Sequence, residues 1–412
     1  MAFGKNKLAL AVQKPARRFG GGWDLADRLG PHFFFEDRVR NFAISGQGNK
    51  EHLITHVLGM TAGRMPVIVL HNNNHGMMAE IARVWTQEFG SLEYDQDGPL
   101  WSGSTGGFEP FLGLEEMDIV GILKDLGEVA GYSCTASFEK VVRAHLSILK
   151  YMDCPYSLSG LKYLCDFEDL EEFQSNIMLL PCSPMEKNRI IVGLGLSNEK
   201  DREQFEQFRS MIQRMAYEAK RSGWDPDTGV GTMSVTTAIA RRALMTVSVS
   251  AGKSPFFMAY LARELRLYSD EPCLLLIDEV LLESSGLVSV LRESGFDFRF
   301  GILGSNLLEI IGGERTEAQK FCEKLDLLVL LRHNVATTAD ALSELLGNME
   351  VSKESSTSGT ARDFFGWLPE SRQKSVTMTV QEQRRVKPEQ IMDLADEQAI
   401  VFHPAANEIL LL

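Results

Sequence analysis

The sequence predicts an α/β fold: a mostly parallel sheet flanked by helices, with an all-helical insertion. Three observations predict it. Short apolar runs of strand length recur along the chain and alternate with segments of helical spacing. One of them, Leu274-Leu275-Leu276-Ile277, is apolar without alternation, as a strand covered on both faces is, and runs directly into Asp278-Glu279. From about Leu112 to Gly223 the apolar spacing is mostly helical, which interrupts the strand series.

In chain order, residues 1–37 read as an irregular segment punctuated by Gly20-Gly21-Gly22 and Gly30-Pro31. Residues 38–109 and 224–412 are expected to form the α/β unit, and residues 110–223 the helical insertion. Val39–Ile44 reads as a strand. A polar turn, Ser45-Gly46-Gln47-Gly48-Asn49-Lys50-Glu51, then leads into a helix over 51–60, with Leu53, Ile54, Val57 and Leu58 at helical spacing. A strand, a glycine-containing loop with a lysine and a helix make the layout of a phosphate-binding loop, where backbone N–H groups and the helix N-terminus face an anion. Pro66–His71 reads as a second buried strand, followed by a polar turn over 72–76 and a helix over 77–89. Residues 91–109 read as loop.

Within the insertion, Phe208, Met211, Ile212, Met215 and Ala216 share one face of a helix, and Ile190-Ile191-Val192 suggests a short strand. Trp224–Gly231 reads as a turn-rich return. Leu244–Ser250 reads as a strand and Phe256–Leu267 as a helix. Between them Ala251-Gly252-Lys253-Ser254 imitates a phosphate loop. Its first glycine falls at Val247, however, and Ser254-Pro255 suits an N-cap and first helical turn. Beyond Asp278-Glu279 come a helix over 281–294, a strand at Phe298–Leu303, a helix from Asn306, a strand at Leu327–Leu331 and a helix at Ala336–Leu346. Val351–Thr360, rich in Ser, Thr, Lys and Glu, reads as a mobile loop. Strands at Val376–Gln381 and Ala399–Phe402 close the chain.

Composition narrows the function. The 412 residues carry 42 Lys plus Arg against 56 Asp plus Glu, a net charge of −14, which argues against a broad non-specific nucleic-acid surface. The six cysteines include no CxxC pair, and the eight histidines form no HExxH. That spacing predicts neither a zinc site nor a disulfide framework, and a reducing, cytosolic compartment is expected. No run approaches the ~18 apolar residues of a membrane span.

Two carboxylates at the end of a buried strand are costly unless they face a ligand crevice, where open α/β sheets bind substrate. In P-loop NTPases this is the Walker B position: Asp278 is the candidate Mg²⁺ ligand and Glu279 the residue that orients the attacking water. Ser45 to Glu51 would hold the phosphates, with Lys50 as the cation. A complete loop requires GxxxxGK[ST]. Here Asn49 stands for the second glycine and Glu51 for the Mg²⁺-binding hydroxyl.

From Pro272 to Glu408 the chain resembles the C-terminal half of TraG/TraD-type coupling proteins of conjugation and type IV secretion. The residues that carry the resemblance are the Leu274–Glu279 strand, the strand into Gly304-Ser305-Asn306, the polar stretch that follows, and Arg384-Arg385-Val386-Lys387-Pro388 leading to Ala399-Ile400-Val401-Phe402. Lys50 lies 21 residues before His71, about the spacing of the family's loop lysine and the acid ending its next strand.

The resemblance implies a RecA-like P-loop NTPase-type fold with an all-helical insertion domain, and Asn306 at the sensor position. It implies ATP and Mg²⁺ as cofactors, conjugation or secretion proteins as partners, DNA or a relaxase as cargo, and a homo- or hetero-oligomer. It implies a cytoplasmic placement at the inner face of the membrane, reached only through partners. The sequence departs from the family at Asn49, Glu51, His71 and Asn306, so weak or absent Mg-ATP binding is expected. Two readings stay open: an ATP-using motor, and a pseudo-ATPase scaffold that binds partner proteins without turnover.

Overall fold

A computed structural model describes residues 41–47, 65–72, 101–102, 109–196, 199–221, 234–241, 244–249, 255–268, 273–278, 299–305, 324–360 and 372–412. The expected irregular N-terminal segment, the helices over 51–60, 77–89 and 281–294 and the helix from Asn306 lie outside these residues. So do the return at 224–231 and the Ala251–Ser254 turn.

The strands are β1 (Asn41–Ser45), β2 (Val67–His71), β3 (Trp101–Ser102), β4 (Leu244–Ser248), β5 (Leu274–Asp278), β6 (Arg299–Gly304), β7 (Leu327–Leu330), β8 (Asn348–Thr360), β9 (Arg372–Arg384), β10 (Ile400–His403) and β11 (Glu408–Leu411). Nine of them form one sheet in the order β11-β10-β7-β1-β6-β5-β2-β4-β3. From β7 to β3 every pairing is parallel, and β10 and β11 add antiparallel strands at one edge. The chain has a mostly parallel sheet with helices, as the apolar runs predict, and the five strands read with them (β1, β6, β5, β2, β4) are consecutive neighbours.

Both faces of this sheet are apolar. Ala43, Ile68, Leu70, Met245, Leu275, Ile277 and Ile302 belong to one buried cluster. The alternate residues Phe42, Ile44, Val67, Val69, Leu274, Leu276 and Leu303 belong to another. A period of two with both phases buried requires a continuous apolar run, which is why β2 and β5 read so plainly. β6 carries a glycine at its middle. Phe42 on β1 and Leu276 on β5 reach across that position, and a Cβ on Gly301 would stand 2.3 Å from the Phe42 ring and 2.7 Å from Leu276 Cδ2.

Between Glu116 and Arg221 the described elements are helices. Four of the helix starts have a side-chain cap. Thr135 accepts from Ser137 N, Ser157 from Gly160 N and Asp169 from Glu171 N. Ser183 and Glu186 form a reciprocal capping box ahead of Pro184–Gly193. That box corrects the expected strand at 190–192: Ile190 is buried while Val192 is 67 % exposed, because the run lies on a helix. β-branched residues in a run of three suggested a strand, but the cap and Pro184 at the first turn decided otherwise. His145 is fully buried among the rings of Phe173, Phe205 and Phe208. Its Nδ1 bonds Val141 O at 2.8 Å, and its Nε2 has no hydrogen-bond partner among the described residues.

The two chain segments that join these helices to the sheet lie side by side. Ser234 Oγ donates to Leu112 O at 2.5 Å. Phe111 N donates to Tyr260 Oη (2.8 Å), and Tyr260 Oη donates to Glu264 Oε2 (2.6 Å). Thr236 N and Oγ1 donate to Glu264 Oε1 at 3.2 and 2.9 Å. Glu264 is therefore a buried carboxyl that gathers both crossings onto the Pro255–Leu267 helix. At the other end of that helix, Glu218 accepts from Phe256 N at 3.0 Å and so caps it from the Glu199–Arg221 helix.

The expected loop at 351–360 is instead most of β8. It pairs antiparallel with β9 through thirteen residue pairs, from Asn348↔Arg384 to Thr360↔Arg372, as a separate two-stranded ribbon. Composition misled here because Ser and Thr mark loops when alone but suit a strand when a Thr- and Val-bearing partner faces them. The base of the ribbon is fastened: Arg384 pairs with Asp340, Arg385 N bonds Gly347 O, and Ser343 Oγ donates to Val386 O. Part of the region read as loop at 91–109 is also strand, since Trp101–Ser102 adds to the β4 edge.

Candidate functional site

Parallel strands present their carboxyl ends along one rim, and register fixes which residues stand level there. Ser45 pairs with Gly304, Asp278 with Leu303, and His71 with Ser248. Because Leu70 pairs with Ile277, His71 comes level with Asp278. The rim therefore reads Ser45, then Gly304-Ser305, Asp278, His71-Asn72 and Ser248, from β1 to β4. Ser45 and His71 are buried and Asp278 is half-buried.

The turn after β1 is held on both sides. Gly46 N donates to Gly304 O (3.0 Å) on β6, and Leu331 N donates to Ser45 O (2.8 Å) beyond β7. Gln47 N donates to Arg332 O at 2.7 Å, and Asn334 Nδ2 donates to Gln47 Oε1 at 2.6 Å. Gly46 has φ +125°, and an added Cβ would sit 2.8 Å from Leu331 C and O. Backbone conformation and space both demand glycine here. Gly46→Ala is expected to destabilise the fold by about 3 kcal/mol. Urea unfolding checks this, and a loss below about 0.5 kcal/mol, the scatter of ordinary surface changes, would show that the turn relaxes freely.

The structure thus brings Ser45, Gly46, Gln47 and Asp278 to one rim, with β6 between β1 and β5. Gly48, Asn49, Lys50 and Glu51 lie outside the described residues, as do Glu279 and Asn306. Sequence reading missed Arg332 and Asn334, which hold the turn from the far side. The signal was present: the Leu327–Leu331 run ends in Arg332-His333-Asn334, a polar end like those of the other strands. It also missed Glu264, whose carboxyl is pushed up to about 7, chiefly because burial penalises its charge. Tyr260 and Glu264 stand four apart on the Pro255–Leu267 helix, and that spacing was the available clue.

The residues present fit Mg-ATP poorly. Asp278 ends β5 level with His71, and Gly46 sits at φ +125° in the turn after β1. An imidazole stands at 71, where a carboxylate would support the metal, and the sequence places Asn49 and Glu51 where glycine and a hydroxyl are needed.

Residues 272–396 match the family described as the TraM recognition site of TraD and TraG. No curated protein matches the chain in sequence. Among solved structures, the unbound monoclinic form of the bacterial conjugative coupling protein TrwBdeltaN70 is similar at TM-score 0.53 and 15 % identity, over 91 % of this chain and 84 % of that one. The plasmid coupling protein TrwB in complex with the non-hydrolysable ATP analogue ADPNP is similar at TM-score 0.50 and 14 % identity, over 91 % and 86 %. The chain has the RecA-like α/β fold of these structures and resembles TraG/TraD-type coupling proteins.

Proposed function

We propose that this chain is a coupling component of a conjugative DNA transfer or type IV secretion system, in which the nucleotide crevice binds Mg-ATP weakly or not at all. The observation that carries the reading is the rim itself. It keeps the arrangement β1-β6-β5, with Asp278 ending a strand that lies in the segment matching TraD and TraG, while Asn49 and Glu51 stand where a glycine and a Mg²⁺-binding hydroxyl are needed. In this reading residues 38–109 and 224–412 form the nucleotide-type unit and residues 110–223 the insertion. The 272–396 segment faces a protein partner, as the TraM recognition site does in TraD and TraG.

The energetics favour an empty crevice. At the position the sequence gives it, Glu51 would add a negative charge near phosphate oxygens, a repulsion of ~4 kcal/mol at ~4 Å and an effective dielectric near 20. Against it stand Lys50 and the N-terminus of the expected helix, the latter returning only roughly 0.3–1 kcal/mol. Calorimetric titration of the full chain with Mg-ATP should give no saturable binding. The Asn49→Gly/Glu51→Thr variant should bind at least about a hundredfold more tightly. Saturable, tight binding by the native chain, abolished by Lys50→Ala, would overturn the scaffold reading and restore an ATP-driven motor, with Asp278 on the metal and Glu279 and Asn306 at the water and γ-phosphate.

A further inference from the structure

Three helices of the insertion end around one open groove of about 560 Å³, lined only by residues between Ile148 and Pro181. Its floor is apolar and buried: Ile148, Leu164, Phe173, Ile177 and Leu180. Its rim includes Tyr163 and Leu179, which are 70 and 80 % exposed. Large apolar side chains left exposed around a groove mark an interaction surface. The charge of this one is one-sided. Asp166, Glu168 and Glu172 line it, and no Lys, Arg or His does. Met152, Asp166 and Leu179 are the C-caps of the helices Ala136–Tyr151, Leu158–Cys165 and Leu170–Met178, and all three line it as well. Each helix C-terminus adds roughly half a negative charge. Cations outside the groove meet part of this. Lys162 pairs with Asp166 at 2.8 Å, Arg209 donates to Cys165 O and Phe167 O, and Lys187 donates to Met178 O. Glu168 and Glu172 make no ion pair among the described residues.

An apolar floor under an unbalanced acidic rim fits a basic segment with apolar anchors, and the chain contains one. Residues 1–23 carry Lys5, Lys7, Lys14, Arg17 and Arg18 and no Asp or Glu, in a chain of net charge −14. The apolar run Leu8–Val12 lies between Lys7 and Lys14, with Phe3, Phe19 and Trp23 further out. We propose that residues 1–23 dock in this groove of their own chain, with the Leu8–Val12 run on the apolar floor and the bases toward Glu168 and Glu172. Reach permits it. The 17 residues from Asp24 to Arg40 span up to about 60 Å when extended, against a radius of gyration of about 22 Å for a compact chain of this length. Tethering also favours this occupant over a free one, because a short linker holds its segment at an effective concentration in the millimolar range. The segment is then an intramolecular strap, and another basic segment enters the groove only by displacing it.

The test uses the full chain. Tyr163 is exposed and aromatic, so Tyr163→p-benzoylphenylalanine puts a photoreactive ring on the groove at little cost to the fold. Irradiation should give a product of one-chain mass, in which mass spectrometry joins position 163 to residues 1–23. Lys7→Glu/Lys14→Glu in the same chain should lose most of that product. So should Glu168→Lys/Glu172→Lys, which changes only exposed side chains. Combining the two reversals should restore it, which a variant that had merely misfolded would not do. Raising the salt to 1 M, where charges are screened beyond about 3 Å, should weaken the native product. The proposal is overturned by a link from position 163 to any other part of the chain, by a product that joins two chains, or by no product. It is overturned equally if the product persists in both single reversals, or if the combined variant fails to recover it.

Discussion

Replacing Gly301 by alanine lowers the free energy of unfolding by about 3 kcal/mol, at the upper end of what a single overpacked core position costs. The reason is the neighbourhood of β6. The new methyl would lie 2.3 and 2.5 Å from atoms of the Phe42 ring and 2.7 Å from Leu276 Cδ2, and none of these is the loose end of a surface side chain. β6 is fifth in a row of nine, paired on both sides, so the strand cannot move outward to make room without breaking the β1 or β5 ladder. Phe42→Leu should recover part of the loss in the double variant, because two of the three clashing atoms belong to Phe42. Residues that share a clash are not additive, and a double-mutant cycle should return a coupling above about 1 kcal/mol. Additive effects would mean that the strain is relieved elsewhere.

Acid stability is the second large expectation, and it arises from two opposing groups. Glu264 has its carboxyl raised from 4.5 to about 7 by burial. Below pH 4.5 it is protonated whether or not the chain is folded, and it adds no pH dependence. Between 4.5 and 7 the unfolded chain releases a proton that the folded chain keeps, so stability falls as pH rises. His145 is lowered from 6.5 to about 4, again chiefly by burial. Above 6.5 it is neutral in both states. Between 6.5 and 4 the unfolded chain takes up a proton that the folded chain refuses, so stability falls as pH drops. Each effect amounts to about 3 kcal/mol over its full window, at about 1.4 kcal/mol per pH unit. Across pH 4.5–6.5 they cancel. Relative to the native chain, Glu264→Gln should therefore lose stability steeply on acidification through this range, while His145→Phe should gain. Chemical denaturation at half-unit pH steps reads both slopes. If either variant runs parallel to the native chain, the group it removes is not the one titrating.

The outcome for β5 and β2 shows what the sequence made legible. Their runs are apolar in both phases, and only a strand between two apolar layers needs that. The rim was half legible for the same reason: a strand buried on both faces that ends in Asp278 or Ser45-Gly46 announces its carboxyl end. Pairing between distant segments was less visible. Nothing in Val351–Thr360 signals a strand until β9 is set opposite it, because serine and threonine take their β character from their neighbours. The latch at Glu264 was hidden likewise. Its donors come from positions 236 and 260, and a glutamate in an Arg-containing helix reads as solvated until the fold closes around it.

The side-by-side crossings at Leu112 and Ser234 bear on how the sheet assembles. β2 and β4 are ladder neighbours, yet 172 residues separate His71 from Leu244. Closing so long a loop is slow, because its entropy must be surrendered before any strand contact compensates. If the helices between the crossings condense first, the Ser234–Leu112 hydrogen bond short-circuits the chain, and the remaining loop is about 50 residues. By the logarithmic law of loop closure this lowers the entropic barrier by about 1 kcal/mol. A local helical nucleus would then act as a clasp that delivers two distant strands to each other, and a slow parallel sheet would acquire the folding kinetics of a much shorter chain.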